Sequence, residues 1–318
     1  MNVTGSPGSR YAPARLVAGI GSRISIYGRG IAEMLPRLVF GNGAGLRNNL
    51  APQRELARLR RAFDSGDVNL AEEPFASRAA SLQDQGFVLA GRSVDRALID
   101  GIRVEVSRLL ADPAAFVPSP NGATQFIFDP LAAIPAVRQL LTPELCRTIA
   151  AYYGCALRVE SVRLWRNHHV PGIDADRDDR FSNTFHHDGY AVTGLRVFIL
   201  LSDGVTRETG ALRLHDRRTS ASIVRSLGYF HRARLAPGTR ARLRDPSTLR
   251  FFEGDAGDTC IANTQQCLHA ASVPRAGSHR DMLQFEVYPA AGPYDAGAGL
   301  FEGLPADLEL LKMRAAQR

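Results

Sequence analysis

The sequence predicts an α+β protein whose helices come first and whose strands follow. Up to about residue 153, the clearest apolar patterns repeat every three to four residues, as on one face of an amphipathic helix. From residue 156 onward, short runs rich in Val, Leu, Ile and aromatic residues are separated by turn-rich loops. This order indicates an all-β core, a sandwich or barrel, with helices packed on it.

The first half of the chain carries the helix patterns. Residues 1–70 are expected to form an irregular N-terminal extension with one short helix over 53–64, because the segment opens with many Gly, Pro, Ser and Asn residues. Residues 71–318 are expected to form the main domain. Within it, Ser93 is predicted to cap a helix, and another helix over 143–153 is predicted to begin at a proline.

The remaining elements follow from alternation and from turn residues. Residues 156–167 alternate in polarity and predict a strand, and the apolar run over 195–202 predicts a buried strand. A helix over 222–234 is predicted within a long insertion. The same patterns assign further short segments, namely strands at 86–89, 210–214, 258–262 and 282–288 and a Pro- and Gly-rich loop at 112–123.

The composition fits a folded protein with a sizeable core, since 45% of the 318 residues are hydrophobic and 22% are charged. The net charge of +7 comes almost wholly from arginines. These arginines are scattered, with no dense basic run and no interleaved aromatic residues, so the sequence predicts no nucleic-acid partner. Solvated surface arginines are the main interpretation, and an anionic substrate or partner is the alternative.

Cysteine usage and the absence of long apolar runs bear on location. The four cysteines form no C-x-x-C pair, which favours buried or free thiols in a reducing compartment. The sequence contains no run of about 18 consecutive apolar residues, so no membrane span is predicted. The N-terminal residues lack the apolar stretch of a signal peptide, so a cytoplasmic location is predicted. The oligomeric state is left open.

The segment FSNTFHHDGY contains the first candidate metal ligands, His186 and Asp188. Side chains two residues apart on a strand point the same way, so His186 and Asp188 can coordinate one ion. His187, which lies between them, should face away. A third ligand is offered by His269, at the end of a strand-like stretch much later in the chain. Two histidines and one carboxylate on one face of a metal leave positions open, which suits ferrous iron that must bind a cosubstrate and dioxygen together.

A second set of candidates could line the same cavity. Arg280 lies on the predicted strand after His269, and a buried arginine fork is a natural partner for the distal carboxylate of 2-oxoglutarate. Gln284 has the same strand parity as Arg280, and Trp165 and Asn167 share one face of an earlier strand. These three are candidate substrate-pocket residues, with ordinary packing as the alternative.

Together these motifs resemble the phytanoyl-CoA dioxygenase-like family of Fe(II)/2-oxoglutarate oxygenases over roughly residues 75–290. The matching segments are Gly86-Phe87-Val88-Leu89, His186-x-Asp188, Leu201-Ser202-Asp203, Gly210-Ala211-Leu212, Gly257-Asp258, Leu268-His269 and Arg280. The resemblance implies a double-stranded β-helix, or jelly-roll, core with iron held by the His-Asp-His set. It also implies consumption of 2-oxoglutarate and O2, release of succinate and CO2, and oxidation, above all hydroxylation, of a small-molecule metabolite such as a biosynthetic intermediate.

The sequence departs from the family pattern in three places, one of which is a spacing from Gly257-Asp258 to His269 about one residue longer than the pattern. Where a Pro-Gly-Ser-His type turn is expected, the chain has the segment 214–218, LHDRR. Two residues after His269, where a small hydroxyl residue often helps to hold the cosubstrate, the chain has Ala271, and Ser272 is the candidate substitute. Two other function classes stay open: a jelly-roll enzyme that uses zinc or another divalent ion for hydrolysis or isomerisation, and a non-catalytic binding protein of the same fold.

Overall fold

A computed structural model describes residues 50–63, 68–119, 122–172, 183–188, 191–226, 248–304 and 307–315. Within them the chain forms helices and two antiparallel sheets, which confirms the predicted α+β class. The helices are α1 (Leu50–Ala62), α2 (Phe75–Gln85), α3 (Arg96–Leu110), α4 (Pro130–Ala133), α5 (Pro143–Tyr153), α6 (Arg217–Ser226) and α7 (Leu308–Ala315), with 3-10 turns at Pro135–Leu140 and Ala298–Phe301.

Ten strands build the two sheets. They are β1 (Phe87–Arg92), β2 (Phe116–Pro118), β3 (Thr124–Ile127), β4 (Ala156–His168), β5 (Leu195–Leu200), β6 (Leu212–His215), β7 (Leu249–Phe252), β8 (Asp258–Ala262), β9 (His269–Ala271) and β10 (His279–Ala290). The larger sheet has the order β1-β8-β5-β10-β4-β3-β2, and the smaller has the order β7-β6-β9. Every pairing is antiparallel, and neighbours in space are mostly distant in sequence.

Several predicted boundaries differ from the observed ones. Helix α3 is capped by Asp95, whose carboxylate accepts a hydrogen bond from the amide of Ala97, and not by Ser93. Ser93 is instead held by the hydroxyl of Thr259 on β8, at 2.8 Å, so its side chain is not available for capping. Helix α5 begins and ends as predicted, with Thr142 as the N-cap and Gly154 in the left-handed conformation at its end.

The predicted strands lie at the observed positions, but several of the predicted lengths differ from the observed ones. The predicted loop at 112–123 contains β2, and the strand predicted at 282–288 is the middle of the longer β10. The helix predicted over 222–234 starts earlier, as α6. Its predicted second half lies outside the described residues, as do residues 1–49 of the expected extension.

The larger sheet separates two apolar clusters. Leu283 and Phe285 of β10 pack with the helices in the main cluster, whereas Met282 packs with residues of the smaller sheet in the second. This is the alternation expected of a strand covered on both faces. Even-numbered residues of β10 therefore face the space between the two sheets.

Helix α1 docks on the main domain. Leu59 is buried in the main apolar cluster, and the guanidinium of Arg60 donates to the carbonyl of Tyr153 at 2.5 Å. The helical part of the predicted N-terminal extension thus shares the main apolar cluster with the later helices and strands. None of the described helices is long and apolar enough to cross a membrane. All four cysteines are free and buried, in agreement with the sequence interpretation.

Candidate metal centre

Three side chains from two distant segments converge at the edge of the smaller sheet. Oδ1 of Asp188 lies 3.7 Å from Nε2 of His186 and 3.6 Å from Nε2 of His269. One potential ligand atom from each of the three residues lies within 4.8 Å of the other two. The two imidazole centroids are 4.3 Å apart. The predicted trio is therefore brought together in space.

Backbone pairing explains how the trio assembles. His186 and His269 form an isolated antiparallel bridge and exchange two backbone hydrogen bonds of 3.0 and 3.1 Å. The amide of Asp188 donates to the carbonyl of Thr264 at 3.0 Å. The prediction of a regular strand through His186 and Asp188 is wrong, since within residues 183–188 the bridge at His186 is the only β pairing. The strand at His269 also differs, because β9 begins at this residue and does not end there.

Both histidines are oriented by main-chain carbonyls. Nδ1 of His186 lies 2.8 Å from the carbonyl of Thr184, and Nδ1 of His269 lies 3.2 Å from the carbonyl of Cys267. Since a carbonyl can only accept, each Nδ1 carries the proton, and in the neutral ring Nε2 keeps its lone pair. Fixing the tautomer through the second nitrogen is the usual way in which a protein prepares a metal-binding imidazole.

The carboxylate of Asp188 is kept ionised. Burial opposes ionisation, but attraction to His269, Arg196 and His186 outweighs it and holds the pKa of Asp188 well below its usual range. The trio thus offers two imidazole nitrogens and one carboxylate oxygen as donors. Ligand atoms about 2.1 Å from an ion lie roughly 3 Å apart when the angles at the ion are near 90°, so a modest contraction of this trio fits a divalent metal.

Arg280 lies on β10 with only 2% of its surface exposed. Its Nη1 donates to the carbonyl of Gly210 and its Nη2 to Oδ1 of Asn167. Among the described residues Nε has no hydrogen-bond partner and no carboxylate forms an ion pair with the guanidinium. Burial lowers the pKa of Arg280 to about 10, so the group is still charged at neutral pH. A buried cation without a protein anion is an anion-binding feature.

The other predicted pocket residues have mixed placements. Asn167 is opposite Arg280 in register, accepts from Nε1 of Trp165 at 2.9 Å and donates to Thr124 at 2.8 Å. Gln284 is half-buried on the same face of β10 as Arg280. Ser272 is buried just beyond β9, where its amide donates to the carbonyl of Ala211. Asn167 therefore contacts Arg280 directly, and Trp165 contacts Asn167. Ser272 instead contacts Ala211, the residue before β6.

Three further residues at this site were missed by the sequence reasoning. The hydroxyl of Thr264 donates to Oδ2 of Asp188 at 2.6 Å, and Nε of Arg196 lies 3.4 Å from the same oxygen. Nη1 of Arg196 lies 2.6 Å from Oε2 of Glu286. The available signal was a single charge inside each of two apolar strands, LRVFIL and MLQFEVY.

No family model matches the chain, and no curated protein matches it significantly. Solved structures do match. The epimerase SnoN in complex with Fe3+, alpha-ketoglutarate and nogalamycin RO has a TM-score of 0.51 at 19% identity, covering 73% of this chain and 92% of that chain. HygX from Streptomyces hygroscopicus with nickel and 2-oxoglutarate has a TM-score of 0.50 at 18% identity, covering 72% and 94%.

A third solved structure supports the same likeness. EctD from S. alaskensis with 2-oxoglutarate and 5-hydroxyectoine has a TM-score of 0.53 at 15% identity, covering 78% of this chain and 90% of that chain. At these identities the likeness establishes the fold. The chain has the double-stranded β-helix, or jelly-roll, fold of these enzymes, as the sequence predicted.

Proposed function

We propose that the protein is an Fe(II)- and 2-oxoglutarate-dependent oxygenase of the phytanoyl-CoA dioxygenase-like type, with its domain at residues 71–318. The observation that carries this proposal is the convergence of His186, Asp188 and His269 on one point. Two imidazoles and one carboxylate on one side of an ion leave coordination positions open, and that arrangement is characteristic of non-haem ferrous oxygenases.

Each named residue then has a distinct task. Nε2 of His186, Oδ1 of Asp188 and Nε2 of His269 would hold the iron, which when bound supplies the chemistry of dioxygen activation. Arg280 would bind the distal carboxylate of 2-oxoglutarate through its unpartnered Nε and the rest of its guanidinium. Ser272 is the candidate for a further cosubstrate contact.

The surrounding side chains orient and shield these groups. Asn167 fixes one edge of the Arg280 guanidinium, and Trp165 in turn fixes the amide of Asn167. The apolar cluster between the sheets, which includes Phe198 and Met282, borders this region and keeps bulk water from it. Excluding water strengthens the electrostatic attraction between Arg280 and a bound carboxylate.

The substrate is proposed to be a small-molecule metabolite, with hydroxylation as the outcome and Trp165, Asn167 and Gln284 as candidate contacts. Support comes from the small molecules bound in the similar structures, nogalamycin RO in SnoN and 5-hydroxyectoine in EctD. SnoN is an epimerase, so the same fold also carries reactions whose outcome is not hydroxylation. Released succinate is the product that all such outcomes share.

The test is the formation of succinate from 2-oxoglutarate under air, with either Fe2+ or Zn2+ added to the reaction. Mass spectrometry measures the succinate. The proposal predicts slow, Fe2+-dependent release even without the native substrate, and none from Asp188→Ala. Hydrolase or isomerase activity with Zn2+ and no succinate with Fe2+ would point to the rival metal enzyme. A protein that binds neither Fe2+ nor 2-oxoglutarate would instead be the non-catalytic binding protein.

A further inference from the structure

The two carboxylate oxygens of Asp188 have different surroundings. Oδ1 is directed to the two imidazole nitrogens, at 3.7 and 3.6 Å. Oδ2 accepts a hydrogen bond from the hydroxyl of Thr264 at 2.6 Å and lies 3.4 Å from Nε of Arg196. One oxygen is therefore free for a metal, and the other is held by two donors of the protein.

Arg196 is itself anchored on the side away from Asp188. It is directly opposite Glu286 in the pairing of β5 with β10, and its Nη1 lies 2.6 Å from Oε2 of that carboxylate. Arg196 is 4% exposed and Glu286 is 7% exposed. Buried charges of this kind persist only when they are paired and hydrogen-bonded, so the guanidinium has little freedom to move.

Glu286 is fixed in turn by two hydroxyl groups. Ser161 on β4 donates to Oε2 at 3.0 Å, and Tyr288 donates to Oε1 at 2.7 Å. Burial raises the pKa of Tyr288 above its usual range, so its hydroxyl remains a donor at all ordinary pH values. The contacts thus run from β4 and β10 through Arg196 to the outer oxygen of Asp188.

We propose that Thr264 and the Arg196–Glu286 pair form a clamp that keeps Asp188 a one-oxygen metal ligand. With Oδ2 held, the carboxylate cannot turn to chelate the ion with both oxygens. One coordination position that chelation would fill stays open for 2-oxoglutarate. The inference rests on the proposed function and assigns Thr264, Arg196 and Glu286 as positioning residues that do not touch the substrate or the metal.

The test measures 2-oxoglutarate binding to Ni2+-loaded protein by calorimetry, which requires no turnover. Thr264→Val removes the hydroxyl at nearly constant volume, and Arg196→Gln/Glu286→Gln removes the ion pair without changing the net charge. We expect each variant to retain one Ni2+ and to bind 2-oxoglutarate about 10-fold more weakly, the scale typical of groups that orient a metal ligand. Thr264→Ser, which keeps the hydroxyl, should bind as the wild type does.

A matched control replaces the ion pair between β4 and the residue that precedes α7. Arg163 on β4 lies 2.6 Å from Asp307, and Arg163→Gln/Asp307→Asn neutralises this pair without altering Asp188 or its donors. It should leave 2-oxoglutarate binding unchanged. A second readout is the visible spectrum of the Co2+-loaded protein, which reports coordination number and should differ between Thr264→Val and the wild type.

The outcomes separate the clamp from the proposed function. Unchanged 2-oxoglutarate affinity and an unchanged Co2+ spectrum in Thr264→Val would overturn the clamp, even if the double variant fails to fold. Equal losses in the Arg163→Gln/Asp307→Asn control would overturn it too, because the effect would then be general. A wild-type protein that binds no divalent metal at the His-Asp-His set would remove the proposed function itself.

Discussion

Arg280 and Asn167 lie opposite each other on β10 and β4, and a guanidinium nitrogen of Arg280 donates to the amide oxygen of Asn167. The same amide donates to Thr124, so its orientation is fixed from the far side. The guanidinium is consequently held in place before any ligand arrives. A preorganised cation of this kind binds an anion without a further entropic cost for ordering the side chain.

Replacing Arg280 tests its assignment as the 2-oxoglutarate anchor. Arg280→Gln should raise the concentration of 2-oxoglutarate required for half-maximal binding by about 30-fold or more, since losing one partner of a buried charge pair costs roughly 2–5 kcal/mol. Binding of 2-oxoglutarate to Ni2+-loaded protein measures this directly. Arg275→Gln, at an exposed position, is the control. An unchanged requirement in Arg280→Gln would assign the anchor to another residue.

Asp188→Ala should abolish stoichiometric iron binding and succinate release. The variant removes the only carboxylate of the trio, and two imidazoles alone are a weak site for ferrous iron. Anaerobic titration with Fe2+, followed by metal analysis after desalting, measures the effect. Asp84→Ala, at an exposed position of α2, should bind iron as the wild type does. Full iron binding by Asp188→Ala would exclude this residue from the site.

The cysteines are predicted to be unreactive in the native protein. Burial raises the pKa of Cys146 and Cys267 to about 12 and also raises the pKa of Cys155 and Cys260. At pH 8 the thiols are therefore protonated, and the thiolate is the reactive form. A disulfide reagent should label none of the four in native protein and all four in denaturant. Rapid labelling of a native thiol at pH 8 would contradict the burial seen here.

The stability contributed by Asp203 should depend on pH. Hydrogen bonds from Arg96 lower the pKa of Asp203 to about 2 in the folded protein. A lowered folded-state pKa means that the contribution is complete above the unfolded pKa, near 3.8, and is lost as the pH falls through 2. Because the side chain is more than a third exposed, solvent screening limits the effect to under about 1 kcal/mol.

Urea unfolding of Asp203→Asn at pH 7 and pH 2 measures this contribution. The variant should be less stable than the wild type at pH 7, and the difference should shrink at pH 2, where the wild-type carboxylate is half protonated. Asp84→Asn, at an exposed position of α2 and without an ion pair among the described residues, is the control for the substitution itself. An equal difference at both pH values would show that Asp203 acts through packing.

Sequence patterns were sufficient to predict the fold class and the convergence of His186, Asp188 and His269. An H-x-D triplet alone is a weak signal, and it became useful at His186 and Asp188 because His269 and Arg280 follow in strand-like segments with alternating polarity. Helix α5 was predicted with both ends, because Pro143 and Gly154 mark them. For the strands and helix α5, the information lies within a few neighbouring residues.

Cross-strand and tertiary contacts could not be predicted in the same way. Arg196 and Glu286 become a pair only through the register of β5 with β10, which the sequence does not encode locally. Thr264 lies in a loop, where no periodicity marks it. Ser93 and Asp95 are both good capping residues, and the contact of Ser93 with Thr259 on a distant strand decides between them.

The most direct test of the account is anomalous diffraction at the iron edge from crystals grown anaerobically with Fe2+. The account predicts one iron with Nε2 of His186, Oδ1 of Asp188 and Nε2 of His269 all within about 2.3 Å, and with Oδ2 of Asp188 remote from the ion. An iron bound elsewhere, or one that lacks His269 as a ligand, would contradict it.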